Sequence, residues 1–353
     1  MRNGDLTRKF MYILFPLLVA LVSPAQAAVQ TLHFLSWSEY IDPAVVKAFE
    51  QEFNAKIKFR YFEDDDDRDA ILVKSGGTGY DLVIINGVQV KTYRKHGWLS
   101  RITSKDVPNL KYIDPKWMNA FKSSRGYTVP YFWGTTGIAY RKDLVQKPIT
   151  SWRQLFNPSK EKHGKIIMLG VGRDVIGMAL KSIGKSSNST DLRALKKVEQ
   201  LLKAQKPYVK SYSYMTLDKK SPLVTGEAVI AMAFSGDALM VREHNKNIEY
   251  VVPKEGGNLW VDQLGVLKSS KNKDLAMKFI NFINRPKIAA RIANFVYYAT
   301  PNQEAKKLLP KEFLEDRVIY PGQSELDKSE FDGDLPIRII KKRNEIMAGL
   351  RHR

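Results

Sequence analysis

The sequence predicts an α/β protein of two lobes, each built on a mainly parallel sheet with helices on both faces. Three observations predict it. Strand-like and helix-like segments alternate through the first hundred residues after the N-terminal apolar stretch, and they alternate again from Lys165 onward; such alternation builds parallel sheets through β-α-β units. Between the two runs lies a long extended stretch, Tyr127–Arg141 (YTVPYFWGTTGIAYR), in place of a loose linker. A chain of 353 residues, 44% hydrophobic and 27% charged, suits two soluble domains.

The elements follow in order. Thr31–Ser36 is the first strand. Asp42-Pro43 is an N-cap followed by proline at the first helical position, and Val45, Val46, Phe49 and Phe53 mark one face of the helix it opens. Lys56–Phe62 alternates Ile57, Phe59 and Tyr61 as a strand. The acidic run 63–67 leads into a helix over Arg68–Lys74 and is expected to be its solvated start. Tyr80–Ile85 is a short buried strand and Val88–His96 a helix. After the long extended stretch come a strand over Lys165–Leu169, a helix over Asp174–Ser182 with Asp174 as its N-cap, and a helix over Asp191–Ala204. Then come a strand over Ala228–Phe234 and a helix from Asp237. Strand-like runs at Ile248–Pro253 and Gln263–Lys268 flank a turn at Gly256-Gly257. Helices over Asp274–Asn284 and Lys287–Phe295, and a basic helix in the tail after Asp334, complete the chain.

The N-terminus carries Arg2, Arg8 and Lys9, an apolar run Phe10–Val22 too short to span a bilayer comfortably, and the small-x-small pattern Ala25-Gln26-Ala27. This is the pattern of a cleaved signal peptide, residues 1–27, and it predicts an exported protein. There is no cysteine, which excludes disulfides, thiolate metal sites and a lipid-modified cysteine at the cleavage site. The five histidines are scattered, so no metal site is expected from them. The formal net charge is +20. That charge favours anionic partners, but nucleic acid does not fit an exported chain with no nucleic-acid-binding signature. No nucleophile elbow, phosphate loop, dinucleotide fingerprint or metal-ligand cluster is present, so neither an enzyme nor a cofactor is expected.

Ligands of such folds lie beyond the carboxyl ends of the strands. Trp37–Tyr40, Asn86–Gln89, Val171–Asp174, Ser235–Asp237 and Trp260–Asp262 fall there, and they mix aromatics, short polar residues and carboxylates. Trp260 and Asp262 are two residues apart, so in extended backbone both face one space. A ring and a carboxylate together suit an organic ammonium, held through the ring quadrupole and a charged hydrogen bond. Core tryptophans and turn-end acids are the plainer reading of the same residues. The pair Tyr297-Tyr298 has no nearby histidine to make an iron site.

Several stretches, SWSEYIDPAVVKAFEQEF, YDLVIING, VPYFWGTTGIAYR, SWRQLFNP, EGGNLWVDQLGV, the helix Ala276–Phe282 and YYATPN, together resemble the periplasmic spermidine/putrescine-binding proteins, in family order over essentially the whole chain after residue 27. The resemblance implies the type II two-lobed periplasmic binding fold, with a linear polyamine in the cleft between lobes. It implies a first lobe of residues 28–134 and 258–301 and a second of 135–257 and 302–353. Residue by residue, it implies ligand roles for Trp37, Ser38, Glu39, Tyr40, Trp260, Asp262 and Tyr298. Asp174 stands for a family glutamate, one methylene shorter, and Phe234 for a tryptophan. Asn86 replaces a serine, Val88 a tyrosine and Val171 an aspartate, while Asp332 falls near a family glutamine. The resemblance also implies an inner-membrane partner. One branch of the family senses norspermidine for a membrane cyclic-di-GMP enzyme controlling biofilm growth; import receptors serve an ABC permease. The departures at Val88, Val171 and Phe234, with the high charge, lean the expectation toward the sensor, with import as the alternative.

Overall fold

β1 (Gln30–Ser36) opens the part of the chain that this computed structural model describes, residues 29–351; the expected signal peptide lies outside the described residues. β2 (Ala55–Tyr61) and β3 (Leu82–Asn86) pair with β1 on its two sides, both parallel. The crossovers are the helices Pro43–Phe53 and Asp65–Lys74. Asp42 caps the first, its carboxylate accepting from the Ala44 amide at 2.8 Å. Asp64 caps the second in the same manner, accepting from the Asp67 amide at 2.8 Å.

β4 (Thr128–Arg141) then carries the chain toward the second lobe, whose parallel strands are β5 (Ile166–Met168), β6 (Val209–Tyr212) and β7 (Ile230–Phe234). β8 (Ile248–Val251) follows, then β9 (Asn258–Val266) and, late in the chain, β10 (Glu330–Phe331). The sheet order is β2-β1-β3-β9-β4-β7-β5-β6, with β8 paired to β4 and β10 to β9. The first part of β4 lies antiparallel to β9 and its last part antiparallel to β7 and β8. One strand therefore belongs to both lobes. Every residue of β4 and β9 is buried, which is why neither shows the polar alternation of a half-exposed strand.

Two details differ from the sequence reading here. The strand expected from Gln263 begins at Asn258, so Trp260 and Asp262 stand inside a buried strand rather than in a loop. β8 and β9 do not form a hairpin; each pairs with β4. The turn between them needs its glycine: Gly256 has φ +82°, and a Cβ there would stand 2.0 Å from the Lys328 carbonyl oxygen.

The lobes have separate cores. Phe34, Phe49, Ile84, Leu264 and Phe279 belong to the first, and Trp152, Met168, Ile176, Leu195 and Ile230 to the second. The tail divides between them. Ala305, Leu309, Phe313, Val318 and Ile319 pack in the first core, whereas Ile339, Ile346, Met347 and Leu350 of the helix Ile337–Arg351 pack in the second. Residues 305–319, expected in the second lobe, thus pack against the first core. Among the described residues, no helix is long and apolar enough to cross a membrane.

Candidate functional site

The ends of β1, β3 and β7 and the middle of β9 meet at one pocket between the lobes, of about 720 Å³ counting the space at its mouth. Trp37, Ser38, Glu39 and Tyr40 reach it from the loop after β1, and Asn86 from the end of β3. Glu39 holds a left-handed backbone, φ 55°, at the turn of that loop. From the second lobe come Asp174 and Phe234; Trp260 and Asp262 come from β9, and Tyr298 from the segment after helix Pro286–Val296. The structure thus brings ten of the eleven expected residues to one space. Asp332 stands beside it instead, within 3.4 Å of Asn258 Nδ2 and 4.0 Å of Arg173 Nε.

The aromatic walls touch edge to face. Trp260 meets Tyr298 at 4.9 Å between centroids and Phe234 at 5.8 Å, and Tyr40 meets Tyr298 at 5.8 Å. Edge-to-face contact is a favoured arrangement of aromatic rings, and aromatic walls of this kind suit an organic cation. The register explains the crowding: Trp260 lies opposite Gly134 of β4, where any Cβ would stand 2.4 Å from the indole.

Three carboxylates are buried in this apolar setting. Asp262 accepts from the Tyr40 hydroxyl at 2.8 Å, and Tyr131 in turn donates to the Tyr40 carbonyl. Burial pushes Asp262 up to about 7, against the smaller opposing effect of the Tyr40 hydrogen bond. Asp237 accepts from Tyr298 Oη at 2.6 Å, and burial raises it to about 6. Asp174 accepts from Thr136 Oγ1 at 2.8 Å and Asn258 Nδ2 at 3.0 Å; burial first, then the neighbouring Asp332 charge, raises it too. Asp174 is not the N-cap expected of it. The helix runs Gly172–Ser182 with Val171 at the cap, so the Asp174 carboxylate is free to turn into the cleft.

Among the described residues, the indole N–H of Trp260 and the Oδ1 of Asn258 are enclosed without a hydrogen-bond partner. Such groups cost roughly 1–3 kcal/mol each when unpaired. Both are buried residues, and both line the pocket. Among the described residues, no lysine or arginine lines it.

Several lining residues escaped the sequence reading. Asp237 was placed in a strand-end loop without a role; it lies in the first turn of the helix Ser235–His244, and Gly236 before it has no room for a Cβ, which would stand 2.6 Å from the Tyr298 ring. Tyr214, Met240 and Asn258 have no local signature, since the fold brings them in from separate segments. The acidic run is more than a solvated helix start. Asp65 lines the pocket and pairs at 2.6 Å with Arg68, which is fully buried and also donates to Tyr93.

Comparison with known proteins places this geometry. A family model described as bacterial extracellular solute-binding protein matches residues 44–318. The spermidine/putrescine-binding periplasmic protein of Salmonella typhimurium is 33% identical over 307 residues, covering 86% of this chain and 87% of that protein. The norspermidine sensor of Vibrio cholerae is 29% identical over 327 residues, covering 92% and 90%. A Streptococcus pneumoniae spermidine/putrescine ABC transporter substrate-binding protein superposes with a TM-score of 0.77 at 30% identity, covering 91% and 98%. A Listeria monocytogenes structure assigned to a spermidine/putrescine ABC transporter gives 0.84 at 34%, covering 91% and 99%. Family, fold and relatives agree on a binding protein rather than an enzyme: the chain belongs to the bacterial extracellular solute-binding proteins, among the periplasmic spermidine/putrescine-binding proteins.

Proposed function

We propose that the protein is a periplasmic receptor for a linear polyamine held between its lobes. The observation that carries this reading is the set Asp174, Asp237 and Asp262, three carboxylates buried in one aromatic-walled pocket that no lysine or arginine lines among the described residues. Buried carboxylates without cations are costly, and a ligand that brings several ammonium groups removes that cost. Each desolvated cation–π contact supplies up to about 2 kcal/mol. Each charged hydrogen bond supplies roughly 1.5–3 kcal/mol.

A thermal-shift screen of polyamines, ferric iron and dicarboxylates tests the class, and polyamines alone should raise the melting temperature. Asp262→Ala should then weaken polyamine binding by on the order of 3–5 kcal/mol, because an ammonium is left buried beside the gap. Calorimetry with affinity within threefold of the unaltered protein rejects the assignment.

Bridging both lobes, the ligand favours a closed form that an inner-membrane partner recognises. The relatives with the higher identities support uptake as the output, with an ABC permease as partner. The replaced aspartate at Val171 does not argue against uptake, because Asp237 supplies a carboxylate to the same pocket. Signalling to a membrane cyclic-di-GMP enzyme is the second reading, favoured by the sensor relative that matches over 92% of the chain. Deleting the gene separates them. Loss of labelled polyamine uptake supports the permease; altered biofilm and cyclic-di-GMP with normal uptake supports the signalling receptor.

A further inference from the structure

The pocket does not end at its mouth. It continues into a larger groove of about 2380 Å³, again counting open space, and Trp37, Glu39, Tyr214 and Phe234 line both. Trp37 from the first lobe and Tyr214 from the second stand at the junction, their rings 6.4 Å apart and inclined by 30°. Beyond them the walls carry Tyr61, Phe62, Phe295 and Tyr297. Tyr61 and Tyr214, 50% and 39% exposed, both stand at this groove.

The groove has the chemistry of the pocket in a more open form. Glu63 and Asp218 line it together with Glu39, and among the described residues none of the three forms an ion pair. The Tyr212 hydroxyl on the same wall is enclosed and has no hydrogen-bond partner among the described residues. Lysine and arginine make up 57 of the 353 residues, yet none lines either the pocket or the groove among the described residues. A surface so basic elsewhere leaves one continuous path of rings and carboxylates, from solvent to Asp262.

We infer that this groove is an outer length of the binding site, and that the ligands of the protein include linear polyamines with four or more ammonium groups. The inference rests on the polyamine reading above. The chemistry is that of alternation. A linear polyamine repeats an ammonium every three or four carbons, so its charged groups meet carboxylates while its methylenes lie along rings. The pocket takes the inner ammoniums; Glu63 and Asp218 take those that emerge past Trp37 and Tyr214. A short diamine fills the pocket and never reaches the groove.

The test is calorimetry on the full chain with two probes, butane-1,4-diamine and the tetraamine spermine. Both are measured against the unaltered protein and the double variant Glu63→Gln, Asp218→Asn. Both altered side chains are exposed, so the fold is retained, and thermal melting verifies this. The expected result is a spermine affinity lowered about tenfold with the diamine unchanged within twofold. Tyr61→Ala should act in the same selective direction. Equal weakening of both amines overturns the inference, because it shows a general field effect rather than an outer subsite. No change for either amine overturns it while leaving the polyamine reading intact. An unaltered protein that binds neither amine removes both.

Discussion

Asp262 shows how one residue couples binding to protons. Its carboxyl is buried against rings, accepts from Tyr40, and titrates near 7 because burial penalises the charge. Asp237 is raised to about 6 by the same cause. In the unfolded chain both ionise near 3.9. Between about 4 and 7 the folded state therefore holds more protons than the unfolded state, and stability falls as pH rises through that window. This is the reverse of the usual paired carboxylate. Thermal melting of the ligand-free protein should drop from pH 5 to pH 8, and saturating polyamine should flatten the drop, since the bound form holds the carboxylates ionised. Calorimetry near pH 6.5 in buffers of different ionisation enthalpy should register proton release on binding, vanishing by pH 8.5. A melting temperature that climbs steadily with pH contradicts the assignment of these two groups.

At the scale of elements, the crossing strands set the site. Trp260 can stand in the pocket only because β4 offers glycine opposite it. Gly134→Ala places a methyl group 2.4 Å from the indole Cζ2 and 2.9 Å from Ser235 Oγ, so one of them must move. Overpacking of this kind costs about 1–3 kcal/mol. The displaced indole should lower polyamine affinity about tenfold or more. Gly349→Ala, in the last helix with nothing near its Cβ, is the control and should leave binding unchanged. Unchanged affinity in Gly134→Ala would remove Trp260 from the ligand set.

The same strands mark where the sequence was legible. The helix cap at Asp42, the periodic face of the helix it opens and the helix over Asp191–Ala204, observed as Leu192–Gln205, were visible, because capping and amphipathic spacing are local. The i, i+2 relation of Trp260 and Asp262 was visible for the same reason. β6 and β10 carry no such pattern: they are short and half-buried, and only their neighbours make them strands. Arg68 carried no sign of burial in the sequence, where it only opened a helix, yet it is a fully buried cation paired with Asp65 of the acidic run. Asp237 was hidden because its chemistry depends on Tyr298, 61 residues away in sequence. Local signals fix caps and faces; burial and long-range partners do not appear in a window.

Taken whole, the molecule is a polycation with a formal charge of +20 whose proposed ligand is also a polycation. Net charge alone predicts repulsion, and added salt would then speed association by screening it. The distribution of charge predicts the opposite. Carboxylates line the pocket and the groove, and among the described residues no lysine or arginine does. At physiological ionic strength the Debye length is about 8 Å, so charges on the far faces are screened while a ligand at the groove mouth still feels Glu39, Glu63 and Asp218. A cleft of one sign between low-dielectric walls focuses its field outward. Stopped-flow measurement of polyamine association, followed by tryptophan fluorescence from Trp37 and Trp260, should therefore show a rate that falls as salt rises from about 50 to 500 mM, across the range where the Debye length shortens from well above 8 Å toward its high-salt value. A rate that rises with salt means that the overall charge governs approach, and that the acidic path acts only after the ligand has arrived.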